Sequence, residues 1–180
     1  MNNVFLGNPP ASIEQWIKDH HGPVVKGTTV VKYTTKSGLP DWEGDIVGEL
    51  TNRSIPNIIN AEVVEIGSHV IGIRASTFYW CSSLTSVTIP SSVTSIEGAA
   101  FYECIGLTSV VIPESVTSIG VDAFYDCNNL LTVEFNGNAP AVRDFAFEGV
   151  AYGCKALVSS TATGFPAEGE TWNGLVVEYK

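Results

Sequence analysis

One segment of this chain occurs twice in succession with few changes. Residues 84–106 read LTSVTIPSSVTSIEGAAFYECIG and residues 107–129 read LTSVVIPESVTSIGVDAFYDCNN, so 15 of the 23 positions agree. A period of about 20 to 30 residues indicates a solenoid, in which each coil buries its apolar side against the next. Identical residues then lie above one another, and one packing solution is reused from coil to coil.

The period extends beyond the two quoted coils. Phenylalanine recurs with the period of this segment, at Phe78, Phe101, Phe124 and Phe147. Cysteine recurs with the same spacing, at Cys81, Cys104 and Cys127. We therefore expect roughly four and a half coils between about residues 45 and 159. The outer coils match less well, as expected for terminal repeats that have one face in water.

Each coil contains two apolar patterns that predict short strands. The alternation in TSVTI at 85–89 predicts one strand, and VTSI at 93–96 predicts a second short extended piece. Phe101 and Cys104 are three positions apart, so a helical turn around AAFYEC at 99–104 would point both inward. These patterns predict an α+β solenoid of short parallel strands and helical turns.

The repeated unit L-T-S-V-x-I-P-x-S-V-T-S-I-x-x-x-A-F-x-x-C resembles the BspA-type leucine-rich repeat over about residues 54–150. The first repeat departs from the family pattern because VIGIRASTFYWC lacks the usual glycine after its second strand, and the fourth departs in NGNAPAVRDFAFEGV. The resemblance implies a right-handed leucine-rich repeat coil. It also implies a surface or secreted protein of a bacterium or protist that is linked to adhesion.

Three regions are expected within one continuous domain. Residues 1–53 are expected to form an N-terminal cap of one helix and strands, residues 54–159 the solenoid, and residues 160–180 a C-terminal cap. The helix is predicted in PPASIEQWIKDHHG because Ser12 is a good N-cap. The segments GTTVVKY and GDIVGEL predict strands. An alternative use of this region is attachment to a larger assembly, with Trp16 as the anchor.

The charge balance excludes anionic partners. Nine Lys and Arg stand against 19 Asp and Glu, and no basic residue lies between Arg74 and Arg143. Nucleic acids and anionic membrane surfaces require clustered basic residues, so neither is expected as a partner. No apolar run approaches the roughly 20 residues that cross a bilayer, so membrane insertion is not expected. The start of the chain lacks the pattern of a secretory signal.

The four cysteines do not suggest a metal site or a disulfide. Zinc ligands come in closely spaced pairs, whereas the long period of this repeat puts one thiol in each coil. Parallel side chains on strands about 4.8 Å apart also make poor disulfides. We expect Cys81, Cys104 and Cys127 to be buried and reduced. Cys154 is out of phase, so we expect it to be the exposed thiol.

No other cluster suggests a metal, a cofactor or catalysis. Adjacent His20 and His21 would point about 100° apart on a helix, and His69 is expected in a turn, so the histidines supply no closed ligand set. The run DWEGD at 41–45 lacks the later glutamate of a calcium loop and predicts an acidic turn. Because no nucleophile motif or phosphate-binding loop occurs, we expect a protein that is not an enzyme and has no cofactor.

The strand pattern L-x-x-V-x-I predicts an outward face, because the x positions point away from the core. The predicted partner-binding residues are Glu65, Ser86, Thr88, Ser109, Val111, Thr132 and Glu134. This hydroxyl-rich, weakly acidic face suits a host or bacterial protein or a glycan. The leading hypothesis is a binding or adhesion module outside the cell or on its surface, with oligomerisation possible. The alternative is a structural or receptor-binding part of a phage tail or similar particle.

Overall fold

The computed structural model describes residues 30–35, 42–45, 48–52, 54 and 58–180. Within them the chain winds as a solenoid whose coils have three sides, formed by a longer strand, a shorter strand and a series of turns. The helix predicted after Ser12 and the anchor role of Trp16 lie outside the described residues. The division at residues 53 and 159 stays a prediction.

Short strands and turns alternate along the described residues. The strands are β1 (Val30–Thr35), β2 (Trp42–Asp45), β3 (Gly48–Leu50), β4 (Ala61–Glu65), β5 (Val70–Ile73), β6 (Ser86–Thr88), β7 (Ser95–Ile96), β8 (Ser109–Ile112), β9 (Ser118–Ile119), β10 (Thr132–Phe135), β11 (Ala141–Val142), β12 (Lys155–Val158), β13 (Thr171–Trp172) and β14 (Leu175–Tyr179). One 3₁₀-helix, Ile58–Asn60, precedes β4.

The longer strands form the first side of the solenoid, which we call the strand side. Parallel strands β4, β6, β8, β10, β12 and β14 follow one another, as the pattern TSVTI predicts. The hydrogen-bonded ladder is interrupted between β6 and β8, so two sheets meet there. Antiparallel β1 and β2 extend the sheet beyond β4, and antiparallel β13 extends it beyond β14. The outer edges of the solenoid ladder are thus paired with further strands.

The shorter strands form a continuous parallel sheet on the second side, in the order β3, β5, β7, β9 and β11. Ser95 lies opposite Ser118 and Ile96 opposite Ile119, which places identical residues above one another. The coils approach closely just after these strands. A Cβ atom added at Gly120 would overlap the backbone nitrogen of Gly98, so the backbones can approach there only because residue 120 is glycine.

The third side, which we call the turn side, contains no α-helix in the described residues. The predicted helical turn at 99–104 and the α+β class are therefore wrong. Ala99 has a φ of 54° and Glu103 a φ of 52°, and equivalent positive angles recur in the neighbouring coils. An α-helix needs negative φ at every residue, so these two left-handed residues interrupt any helix in this short segment.

Alternate backbone amides on the turn side donate hydrogen bonds between coils, and the amides between them close turns within the coil. The amides of Ala99, Phe101 and Glu103 donate to carbonyl oxygens of the next coil at N···O distances of 2.7 to 2.8 Å. In a helix these amides would bond to carbonyls of the preceding turn of the same segment. The turn side is therefore a third ladder, and it holds successive coils at the spacing of paired strands.

Stacked phenylalanine rings fill the centre of the solenoid. Phe78, Phe101, Phe124 and Phe147 form a column with ring centroids 4.9, 4.9 and 5.3 Å apart. All four rings are buried, which confirms the predicted register of the repeat. The inward residues of the strands, such as Val87, Val110 and Val133, are also buried, so one continuous core runs through all the coils.

The periodic cysteines bond to the preceding coil. The thiol of Cys104 donates to the carbonyl oxygen of Phe78, and the thiol of Cys127 donates to that of Phe101, both at 3.1 Å. A carbonyl oxygen can accept two hydrogen bonds, and in each of these pairs the cysteine thiol donates one of them. Cys81, Cys104 and Cys127 are buried and free of disulfides, as predicted.

Cys154 is fully buried, so the prediction of an exposed thiol is wrong. The amide of Leu130 donates to the carbonyl oxygen of Cys127 at 2.8 Å, and the amide of Cys154 donates in the same way to Ala151 at 2.9 Å. Cys154 thus takes in its own coil the inward position that Leu130 takes in the preceding coil. The two residues are one position further apart in the sequence than the regular period of the repeat. The next strand, β12, returns to the original register, so the shift is confined to the turn.

We expect Phe124→Ala to lower the free energy of unfolding by about 3 to 5 kcal/mol, because the ring is buried between two stacked neighbours. Chemical denaturation followed by circular dichroism measures the change. The matched control is Phe145→Ala, which removes a ring that is 60% exposed and should change the free energy by less than about 0.5 kcal/mol. A loss below about 1 kcal/mol for Phe124→Ala would contradict the buried column.

We also expect all four thiols to resist alkylation in the folded protein. Burial raises the pKa of Cys81 and Cys127 to about 12 and the pKa of Cys154 to about 11, and it raises the pKa of Cys104 even further. Little reactive thiolate therefore forms at pH 8. Mass mapping after iodoacetamide treatment should find modification only in guanidinium. Native labelling of Cys154 at the rate of free glutathione would show that its burial is wrong.

Candidate functional site

The predicted outward face lies on the strand side. Its exposed residues are Glu65, Ser86, Thr88, Ser109 and Val111, and its half-buried residues are Thr132 and Glu134. Between them along each strand lie the buried valines of the core, because successive side chains of a strand point to opposite faces. The alternation of outward and inward residues therefore follows the predicted pattern.

The strand register brings the candidate residues together in pairs. Thr88 lies opposite Glu65, while Ser86 lies opposite Val63, a half-buried residue of β4 outside the candidate set. Two further pairs follow beyond the interruption of the ladder, Ser109 with Thr132 and Val111 with Glu134. No ladder pairing joins β6 to β8, so the central step from Thr88 to Val111 is a contact between two sheets.

The C-terminal end of this face carries paired charges. The ammonium group of Lys180 donates to Glu134, one of the candidate residues, and Lys155 Nζ lies 2.5 Å from a carboxylate oxygen of Glu178. Lys155 follows Thr132 in the register of the sheet. Because exposed ion pairs of this kind contribute at most about 1 kcal/mol, a partner can rearrange them. This end of the face is less acidic than the candidate residues alone would indicate.

Hydroxyl groups of the repeat fall into two classes. Those of Thr85, Ser92 and Ser115 donate to backbone carbonyl oxygens of the preceding coil at 2.7 to 2.9 Å, so they join coils together. The hydroxyls of Thr88 and Ser109 have no hydrogen-bond partner within the part of the chain that the structure describes. Hydroxyls of the second class are free to bond to another molecule.

A second surface feature lies on the turn side, where the sequence analysis placed no candidate. The rings of Tyr79, Tyr102 and Tyr125 are stacked outside the buried phenylalanine column, with centroids 4.8 and 5.1 Å apart. We call this set the tyrosine column. The signal was present in the sequence, because tyrosine follows phenylalanine at the same position of three successive repeats.

Residues 50–162 match the family model for the BspA type leucine-rich repeat region, in six copies. The chain belongs to this family. The match covers the predicted range of 54–150 and extends it at both ends, which confirms the resemblance found in the repeated motif. The matched range includes residues 70–81 and 136–150, the two segments whose sequences depart from the family pattern.

Two solved leucine-rich repeat proteins resemble the chain. The leucine-rich repeat protein of T. pallidum (TpLRR) is 26% identical with a TM-score of 0.54, over 68% of this chain and 54% of that one. A leucine-rich repeat protein from Bacteroides ovatus is 17% identical with a TM-score of 0.37, over 87% of this chain and 67% of that one. The chain matches about half the length of TpLRR. No curated protein matches the chain.

The likeness to TpLRR supports the leucine-rich repeat solenoid. The likeness to TpLRR gives no support to the alternative of a phage tail or particle part. Among the described residues, no helix has the length and apolar character needed to cross a membrane.

Proposed function

We propose that the chain is a binding module, without catalytic activity of its own, that recognises a partner protein through the strand side. The observation that carries this proposal is the exposure of Thr88 and Val111 at the centre of a row that begins at Glu65 and ends at Glu134. At about 4.8 Å per strand the row is about 14 Å long, which suits an extended peptide segment or a short glycan. Solenoids of this type commonly present such a surface to partners.

The chemistry of the row favours a protein over a glycan. It combines the aliphatic side chain of Val111, the Thr88 hydroxyl, which has no partner within the described residues, and two terminal carboxylates, so it can contact the apolar, polar and basic groups of one protein segment. It contains no aromatic side chain on which a sugar ring can stack. The proposal includes a location outside the cell or on its surface, which the family resemblance supports. It also includes a host or bacterial protein as the partner.

Replacing both Thr88 and Val111 with Arg should abolish recognition without unfolding the chain. The two substitutions place bulky cations at the centre of the row and leave the buried Val87 and Val110 unchanged. We expect at least a tenfold weaker Kd, about 1.4 kcal/mol, for the partner that the intact chain captures from an array of extracellular-matrix and bacterial surface proteins. Biolayer interferometry measures the change in affinity.

The matched control is the pair Ser118→Arg and Ala141→Arg. These exposed residues lie opposite each other in β9 and β11, so the control places two arginines on adjacent coils of the second side. The control should bind like the intact chain. If the double variant at Thr88 and Val111 stays folded and binds with unchanged affinity, the strand side is not the recognition surface. If the chain binds ligands on a glycan array and no protein, the proposal of a protein partner is wrong.

A further inference from the structure

The tyrosine column is an exposed aromatic surface built by the repeat. Its rings are nearly parallel, with interplanar angles of 13° and 7°, and Trp80 stacks beside Tyr79 at 6.0 Å. Tyr79 and Trp80 are exposed, and Tyr102 and Tyr125 are half-buried. The three phenol hydroxyls have no hydrogen-bond partner in the described part of the chain. Aromatic groups with unsatisfied hydroxyls at a surface are typical of binding sites.

The column ends at Tyr125 because the fourth coil has Glu148 in the tyrosine position. The amide of Asp126 donates to the carbonyl oxygen of Glu148 at 2.8 Å, so these two coils remain in register. The carboxylate of Asp126 covers the Cα atom of Gly149 in the fourth coil, so close that a Cβ atom there would overlap it. No aromatic ring among the described residues stacks on the far side of Tyr125. The carboxylates of Asp126 and Glu148 lie close enough to act on its phenol group.

The charges around the column are negative. Glu103, Asp122, Asp126 and Glu148 surround it, and none of them makes an ion pair within the described residues. Their negative charge affects the neighbouring tyrosine. The carboxylate of Asp126, followed by that of Glu148, raises the pKa of Tyr125 above its ordinary value. We call these four residues the acidic flank.

Basic residues are scarce near the column. Arg74 pairs with Glu97 at 2.5 Å. Arg143 is exposed, and it lines a cavity of about 440 Å³ together with Glu148 and the exposed ring of Phe145. This cavity has room for a long side chain next to Glu148, which is the one described residue of its lining that also adjoins the tyrosine column. A ligand that binds there must satisfy the carboxylates and tolerate the single guanidinium of Arg143.

We propose that the tyrosine column and its acidic flank bind a basic segment of a partner protein, with one arginine or lysine side chain beside Tyr125, at the end of the column where no further ring stacks. The inner faces of the column are covered by rings about 5 Å away, so a cation can reach a ring face only at an end. At Tyr125 that cation also meets the carboxylates of Asp126 and Glu148. Further basic residues of the segment can pair with Glu103 and Asp122.

The unpaired charge decides between a basic peptide and a neutral glycan. A sugar ring can stack on Tyr125, but it leaves the four carboxylates without counter-charges. A basic segment satisfies both the ring and the carboxylates. The surface lies on the turn side, on a different side of each coil from Thr88 and Val111, so it is separate from the strand-side row. The proposal does not depend on the function assigned to that row.

Titration calorimetry of the full chain with a capped hexa-arginine peptide tests the proposal, with a capped hexaglutamine peptide and a neutral hexasaccharide as comparison ligands. We expect binding of the arginine peptide only, with an affinity that falls as salt rises. Tyr125→Ala should weaken its Kd at least about twofold, the lower end of what an exposed cation–π contact contributes. Asp126→Asn with Glu148→Gln should weaken it further, and Arg143→Gln should strengthen it.

Three controls separate recognition from folding. Tyr125→Phe keeps the ring face and should bind like the intact chain. Tyr152→Ala removes a fully exposed tyrosine outside the column and should leave the Kd unchanged. The double variant at Thr88 and Val111 should change the Kd less than twofold. Equal binding of the glutamine peptide, unchanged binding after Tyr125→Ala in a folded chain, or Tyr125-dependent binding of the hexasaccharide alone would overturn the proposal.

Discussion

On the turn side, the backbone amides of one coil donate hydrogen bonds to carbonyl oxygens of the next coil, and the rest of the structure depends on this ladder. It accompanies the ladder of the second side and that of the strand side, and it continues across the step where the strand-side ladder is interrupted between β6 and β8. The phenylalanine column can stack at about 5 Å only because all three sides keep the same spacing. A coil of this kind is stable only between neighbours or beneath a cap.

The repeat in the sequence predicted the core well, because identical residues at a fixed period must stack. It did not predict the conformation of the turn side. Phe101 and Cys104 point inward both in a helical turn and in the observed turn, so their spacing does not distinguish the two. The left-handed residues Ala99 and Glu103 are not glycine and carry no sequence signal. Cys154 was misplaced because one extra residue in a turn is compensated before β12 begins.

The candidate surfaces differed in how readily the sequence revealed them. Strand alternation predicted which residues of the strand side point outward, but not that Lys180 pairs with Glu134, since the two are 46 residues apart. The tyrosine column was visible as a repeated Phe-Tyr pair, but aromatic residues beside a buried phenylalanine are easily assigned to the core. Its open end arises where Glu148 replaces tyrosine, and only the coil register shows which ring that glutamate adjoins.

Hydrogen exchange resolved to single amides by NMR tests the turn-side ladder most directly. Trp80, Glu103 and Asp126 occupy equivalent positions, and their amides donate to the next coil at 2.8 Å. Gly149 occupies the same position in the fourth coil, but its amide has no acceptor within the described chain. We predict strong protection for the first three amides, although Trp80 is an exposed residue, and rapid exchange for Gly149. Rapid exchange at all four positions would contradict the ladder between coils.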